Sequence, residues 1–319
     1  MSADASPPSN LQQSSENALL TQFARAYLRQ QRSDQRWRWL WRAIWLFVAA
    51  SIVWGMSETV PSSSAPSSPH TALVEVRGPI ATDAEANADN LMTALRSAFE
   101  DQGARAVVLR INSPGGSPVQ AGLVHDEILR LKGLHKKKLF AVCEEMCASA
   151  AYYIAASADV VVVDKASIVG SIGVLMDGFG FTGVMEKIGV ERRLMTSGSN
   201  KGMLDPFSPR DPAQEAHAQA MIDQIHQQFI AVVKKGRGKR LKDSPDVFTG
   251  LFWNGEQAVG MGLADKLGSL DGVARDEVKA ADIVDYTQKE NLAERLAKRF
   301  GAAVGEGATH MMLNAMRIR

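Results

Sequence analysis

From Thr71 onward, short runs of branched aliphatic residues alternate with stretches of helical spacing, and this alternation limits the fold more than any other feature of the chain. Residues 73–76, 106–111, 139–143 and 160–163 read as strands, the last apolar throughout, as in a strand covered on both faces. Residues 84–100, 119–131, 148–156 and 212–233 carry helical periodicity. Shorter helices are expected at 184–188, 257–261 and 273–280, and extended chain at 168–176 and 193–195. Regular β/α order of this kind argues for an α/β domain on a largely parallel sheet. No internal repeat is visible.

The 319 residues provide ample interior for one large domain or two ordinary ones. A hydrophobic content of 45% and a charged content of 22% exclude wholesale disorder and a polytopic membrane protein. The net charge of +1 offers no basic excess for nucleic-acid phosphates, so a nucleic-acid partner is not expected. Two cysteines exclude a disulfide framework. Cys143 and Cys147 read as free buried thiols, with a disulfide between them and a nucleophilic Cys147 as lesser alternatives.

The first 70 residues differ from the rest. Residues 43–56 (AIWLFVAASIVWGM) carry no charge, and counting from Trp37 gives 20 residues, about the length that crosses a bilayer. Trp37, Trp39 and Trp41 at one edge and Trp54 at the other suit an interfacial aromatic belt. Six arginines precede or open the run against three acids, which keeps the N-terminus cytoplasmic and puts the body outside. A cleaved signal peptide is the first alternative, opposed by the long leader and the missing small-x-small site. A buried core helix is the second. The Pro/Ser stretch 61–69 reads as a linker.

Three loop segments of the body carry chemistry. Asn112-Ser-Pro-Gly-Gly-Ser117 follows a strand and precedes a helix, so its N–H groups form either an oxyanion site or a plain tight turn. Ser149, flanked by small residues, is either a nucleophile or a helix cap. Lys201 stands in a Gly/Ser loop as the only lysine between Lys187 and Lys234, either a general base or a solvated surface group. Lowering a lysine from about 10.4 to near 7 requires roughly 4–5 kcal/mol of desolvation or repulsion. Ser171, between two glycines, either orients that amine or makes a turn. No HExxH or GxSxG pattern is present, and the six histidines lie in the linker, the tail or on polar helices. A serine with a deprotonated lysine as its base is the chemistry left.

The NSPGG turn, the AS-x-x-YYIA segment, the VGSIGV segment, the TSG-x-x-K loop and the stretch from Trp253 to Asp265 stand in one order. In these motifs the body, over about residues 72–280, resembles the bacterial signal peptide peptidases of the SppA type, serine proteases with a Ser-Lys dyad. The resemblance implies an α/β fold of the ClpP/crotonase-like kind, repeated β/α units preceded by a single N-terminal transmembrane helix. It implies Ser149 as nucleophile, Lys201 as general base, Ser171 as the group that holds the lysine amine, and backbone N–H groups of Gly116 and Ser149 as the oxyanion hole. Ala150 and Ala151 stand where family members often have Gly-Gly.

The organisation expected on this basis is a cytoplasmic tail over 1–36, a signal anchor over 37–58, a linker over 59–70, a peptidase domain over 71–281, and a basic helix with tail over 282–319. The resemblance further implies peptide substrates, cleaved signal peptides among them, and a homo-oligomeric ring or dome at the bacterial inner membrane with the catalytic domain periplasmic. Membrane lipid is engaged through the N-terminal helix, and no metal or nucleotide cofactor is needed. An acyl-CoA enzyme on the same fold, a non-catalytic membrane scaffold, and processing of a dedicated membrane-protein partner are the competing readings.

Overall fold

The computed structural model describes residues 39–48, 50–51, 68–242 and 244–288. The chain divides into two units, Met1–Ala65 and Pro66–Arg319. In the first, residues 39–48 and 50–51 are helical and exposed. Among the described residues no helix is long and apolar enough to cross a membrane. The rest of the span expected over 37–58 lies outside the described residues, as do the tail 1–36, most of the linker and the basic stretch 291–300.

The second unit is built on an eight-stranded sheet. Its first half runs β1 (His70–Arg77), α1 (Ala88–Glu100), β2 (Ala104–Ser113), α2 (Pro118–His135), β3 (Leu139–Ala148), α3 (Ala150–Ala155), β4 (Val160–Val163) and β5 (Ile168–Gly170). The second half runs α4 (Thr182–Lys187), α5 (Pro212–Arg237), β6 (Phe252–Trp253), α6 (Gly255–Met261), β7 (Lys266–Leu267), a π-helical turn (Val273–Val278) and β8 (Ile283–Asp285). The sheet order is β6-β5-β3-β2-β1-β8, with β4 beside β3 and β7 beside β4. Every pairing is parallel except β5 with β6.

Strand β3 is the hinge of the topology. Phe140–Cys143 pair with β4, while Met146–Ala148 pair with β5. Against β2 the register slips, with Ile111 opposite Cys143 but Ser113 opposite Cys147. The extra residues form a bulge that carries β3 from one neighbour to the next.

Alternate strand residues feed two apolar layers. Val107, Leu109, Ile111, Ala141 and Cys143 face the larger core, with α1, α2 and α3 packed on it. Val108, Phe140, Val142 and Val162 face a smaller cluster closed by Val273. The helices start where side chains satisfy their first amides. Asn87 accepts from Asn90 N–H, so the helix expected from 84 begins at Ala88. Ser117 and Asp211 cap α2 and α5, each with proline in the first turn.

Two expectations need correction. The extended stretch 168–176 ends at Gly170, because Ser171 turns to φ 52° and its N–H leaves for Leu251 O at 2.7 Å. The stretch 193–195 is not a strand, since among the described residues no neighbouring backbone pairs with it, and an unpaired strand has no ladder to hold it.

Buried charge ties the layers together. The Arg237 side chain is fully buried and donates to both oxygens of Asp265 at 3.0 and 2.8 Å and to Gly262 O at 2.8 Å. Burial pushes the Asp265 carboxyl up, but Arg237, the Val161 N–H and Arg240 outweigh it and hold the group below its ordinary value. Glu127 on α2 accepts from Arg130 at 2.7 and 2.8 Å and from Arg96 of α1 at 2.5 Å. Arg130 first, then Arg96, hold its carboxyl down at about 2 against the opposing effect of burial.

Both carboxyls are depressed in the fold, so their contribution is present above the ordinary carboxylate range near 4 and is lost as pH falls toward 2. Thermal unfolding between pH 5 and pH 2.5 should show that loss, and Glu127→Gln should flatten it. Asp265→Asn leaves Arg237 buried without its partner and should cost about 3 kcal/mol, a fall in Tm of roughly 6–12 °C.

Candidate active site

The site is assembled at the carboxyl ends of β2 and β3. After β2 the chain makes the turn Pro114-Gly115-Gly116, and both glycines are required. Gly115 lies at φ 98°, and a Cβ there would sit 2.7 Å from Ala148 O and Ser149 Cβ and 2.8 Å from Ala150 N. Gly116 lies at φ 147°, and a Cβ would fall 2.2 Å from Ile80 O. Ile80 clamps the turn by donating to Gly115 O at 2.9 Å and accepting from Ser117 N–H at 2.8 Å. The Gly116 N–H between them has no partner among the described residues.

Ser149 is the single residue between β3 and α3. Its backbone is at φ 53°, ψ −126°, a conformation that L residues rarely adopt and that costs about 1–3 kcal/mol. The Ser149 N–H donates to Gly170 O at 2.9 Å, and its carbonyl accepts from Tyr153 N–H at 3.0 Å. The side chain makes no capping bond to α3. The plainer reading of Ser149 as a helix-capping serine therefore fails.

The Ser149 N–H, expected to pair with that of Gly116, is already engaged by Gly170. In its place the geometry offers the N–H of Ala150. As the first residue of α3 it has no acceptor within the helix, and Gly115 packs directly against it. The methyls of Ala150 and Ala151 are buried in the core, so the departure from Gly-Gly is absorbed by packing.

A small cleft of about 40 Å³ opens beside Ser149, with Gly116, Ala150, Tyr153, Ile225 and Phe229 among its walls. Phe229 stands 5.2 Å, centroid to centroid, from the Tyr153 ring. Tyr153 is four residues beyond Ser149 and so on the same helical face, a signal the sequence carried. Ile225 and Phe229 come from α5, and no local pattern announces that they meet Ser149. Neither His125 nor His226 lines the cleft, and His226 Nε2 is 3.0 Å from Ile172 O.

Ser171 is half-buried and immediately follows the carbonyl that holds Ser149, at φ 52°. Lys201 is exposed, on a turn where its N–H donates to Gly198 O at 3.2 Å, and no residue of that turn lines the cleft. Within one chain the structure thus gathers Gly116 and Ser149 at the cleft, keeps Ser171 one residue beyond the Gly170 that bonds Ser149, and leaves Lys201 in solvent.

Cys143 and Cys147 are free and buried. Burial, with the Cys143 thiol beside it, pushes the Cys147 thiol well up, which disfavours the thiolate that a nucleophile needs.

Residues 133–284 match the peptidase family S49. The putative protease slr0021 of Synechocystis sp. is 30% identical over 224 residues, covering 67% of this chain and 79% of that protein. This chain belongs to peptidase family S49. The matched region holds Ser149, Ser171 and Lys201, while Gly116 precedes it. The S49 chain is also 29% identical over 205 residues to the putative signal peptide peptidase SppA of Enterococcus faecium, covering 63% of this chain and 59% of that one. With the Na(+)/H(+) antiporter NhaA of Brucella melitensis it shares 47% identity over 176 residues, 55% of this chain. The S49 chain spans about a quarter of that antiporter's length.

Two outcomes follow from the geometry. Thiol reagents should leave both cysteines unmodified in the native protein and titrate both after unfolding. Gly115→Ala should destabilise the fold by several kcal/mol, because the clashing atoms belong to the backbone of β3 and α3, and a denaturant midpoint will show it.

Proposed function

We propose that this chain is a membrane-anchored serine endopeptidase acting on apolar peptide segments, remnant signal peptides among them, through an acyl-enzyme on Ser149. One observation carries the reading, which is the strained, uncapped Ser149 beside two backbone N–H groups at the mouth of a cleft.

In the proposed reaction Ser149 Oγ attacks the peptide carbonyl as its proton passes to the neutral Lys201 amine. The oxyanion is held by the N–H groups of Gly116 and Ala150. The C–N bond then breaks, the leaving amine takes the proton from Lys201, and the acyl group remains on Oγ. A water deprotonated by Lys201 hydrolyses the ester and restores both groups. Ser171 orients the amine.

Since Lys201 is solvated in the single chain, the base in this reading comes from a neighbouring copy in a ring or dome. Exposed large apolar side chains around the Lys201 loop support such an interface, with Leu175, Phe179, Ile188 and Met195 all more than two-thirds bare. Burial against a neighbour would also supply the dry surroundings that Lys201 needs to lose its charge.

The anchor rests on the first unit. Trp39, Trp45, Leu46 and Phe47 are each about 70% exposed on one short helix. Beyond Arg42 this helix is apolar on all sides, and such a helix belongs in a core or in lipid. With the arginines on its N-terminal side, the reading puts the tail in the cytoplasm and the catalytic domain in the periplasm at the inner membrane.

Ser149→Ala, Lys201→Ala and Lys201→Arg should each abolish cleavage of an apolar peptide while the folded signal by circular dichroism is retained. Subunits carrying Ser149→Ala and Lys201→Ala, co-assembled, should recover roughly a quarter of wild-type activity, since each site then draws its two groups from different copies. Turnover by the Ser149→Ala protein sinks the hydrolytic reading, and an inactive mixed assembly sinks the shared site.

A further inference from the structure

We propose that the edge of the sheet where its parallel strands begin is a lipid-facing surface, docked on anionic headgroups by Arg105, Lys136, Lys138 and Lys279 around the exposed Leu134. The inference rests on the membrane anchor of the preceding section and adds an orientation of the body to it.

Parallel strands start at one edge. His70 is paired with Ala104, Val107 with Leu139 and Thr71 with Ile283, so β1, β2, β3 and β8 begin side by side. The described chain reaches this edge at Ser68 and is fastened there. His70 Nδ1 lies 2.8 Å from Ser68 O and Nε2 lies 2.9 Å from Tyr286 Oη, whose hydroxyl donates to Asp101 Oδ2 at 2.5 Å. His70 is 2% exposed, so this contact sits inside the fold. The described chain therefore enters the folded body at the strand-starting edge.

The same edge is basic. Beside the strand starts lie Arg105 on β2, Lys136, Lys137 and Lys138 between α2 and β3, Lys266 on β7, Arg275 and Lys279 by the π-helical turn, and Lys132 and Arg240. Opposite them stand Glu100, Asp101, Asp276, Glu277 and Asp282, with Asp159 before β4 paired to Lys132 and Asp265 before β7 paired to Arg237 and Arg240. Most of the acids are answered within the fold. The Asp101 carboxylate accepts from Gly103 N–H and Tyr286 Oη with Lys137 in electrostatic reach, Lys266 pairs with Glu277, Arg275 pairs with Asp276, and Arg130 lies within electrostatic reach of Glu100. Arg105, Lys136, Lys138 and Lys279 are exposed and make no ion pair among the described residues. Lys138 and Lys279 both act on Glu277, which shows that they lie near each other. Glu277 and Asp276, which these lysines also reach, are already paired with Lys266 and Arg275.

Leu134 supplies the apolar element. It is 62% exposed in the last turn of α2, directly before His135 and the three lysines. A leucine within a ring of cations suits the headgroup boundary, where an apolar tip enters and ammonium groups stay with phosphates. Each Lys or Arg near an anionic headgroup surface adds its own electrostatic attraction. For a free protein four such contacts give weak binding, but a tether that already holds this edge near the membrane makes weak contacts sufficient.

The test uses the full chain with Gly133→Cys carrying an environment-sensitive fluorophore. Gly133 is exposed, an added Cβ there meets nothing, and the native cysteines are buried. The protein is reconstituted into phosphatidylcholine vesicles with and without phosphatidylglycerol, each holding a headgroup-level nitroxide quencher. The expected result is quenching about threefold stronger with phosphatidylglycerol. High salt, or the triple change Lys136→Glu, Lys138→Glu, Lys279→Glu, should abolish it with peptide hydrolysis unaltered. Equal quenching in both vesicles, or no effect of the triple change, overturns the proposal. A chain that fails to enter phosphatidylcholine vesicles refutes the anchor. If the label still responds to phosphatidylglycerol in that case, the basic edge stands alone, and if it does not, both fall.

Discussion

The structure turns on one backbone conformation, the positive φ of Ser149 between β3 and α3. A serine adopts it only under constraint, and three constraints act here. The Gly170 carbonyl holds its N–H, Gly115 has no Cβ and packs against its Cβ, and α3 begins at the next residue. The strain is maintained because β3 changes partner from β4 to β5 just before Ser149. An open parallel sheet presents a crevice at the carboxyl ends of its strands where such a change occurs. The hydroxyl is therefore displayed by topology, and among the described residues no capping or side-chain bond draws it back.

Much of this was legible in the order of residues. The strands at 106–111, 139–143 and 160–163 were readable because they are apolar and covered, so periodicity and burial coincide. The two glycines and Ser149 announced themselves through residue types that suit neither helix nor strand. What was hidden depends on contacts distant in sequence. The α5 wall of the cleft approaches Ser149 from more than 70 residues away. The bond from Ser149 to Gly170, which occupies the N–H expected as an oxyanion donor, follows from strand pairing that no local window contains. The stretch 193–195 looks like strand, but its aliphatic residues Leu194 and Met195 lie exposed.

Helix α5 connects stability to the site. Its C-terminal end is pinned by Arg237 to Asp265 and to the loop carrying Gly262, while its middle supplies Phe229 to the cleft. Tyr152, on the helix that Ser149 opens, donates to Leu263 O at 2.7 Å, next to that same loop. The buried ion pair thus fixes two of the walls around the hydroxyl without touching it, and a change there acts on cleft shape as well as on folding.

Strand β1 lies between β2 and β8, so its inner and outer neighbours are separated by most of the domain's length. During synthesis β1 and β2 can meet early, but the outer edge of β1 stays bare until residues 283–285 have been made. A bare parallel edge is a template for wrong pairing between nascent chains. The last short strand therefore acts as a seal, and a chain cut short before it would carry a nearly complete sheet with that border uncovered.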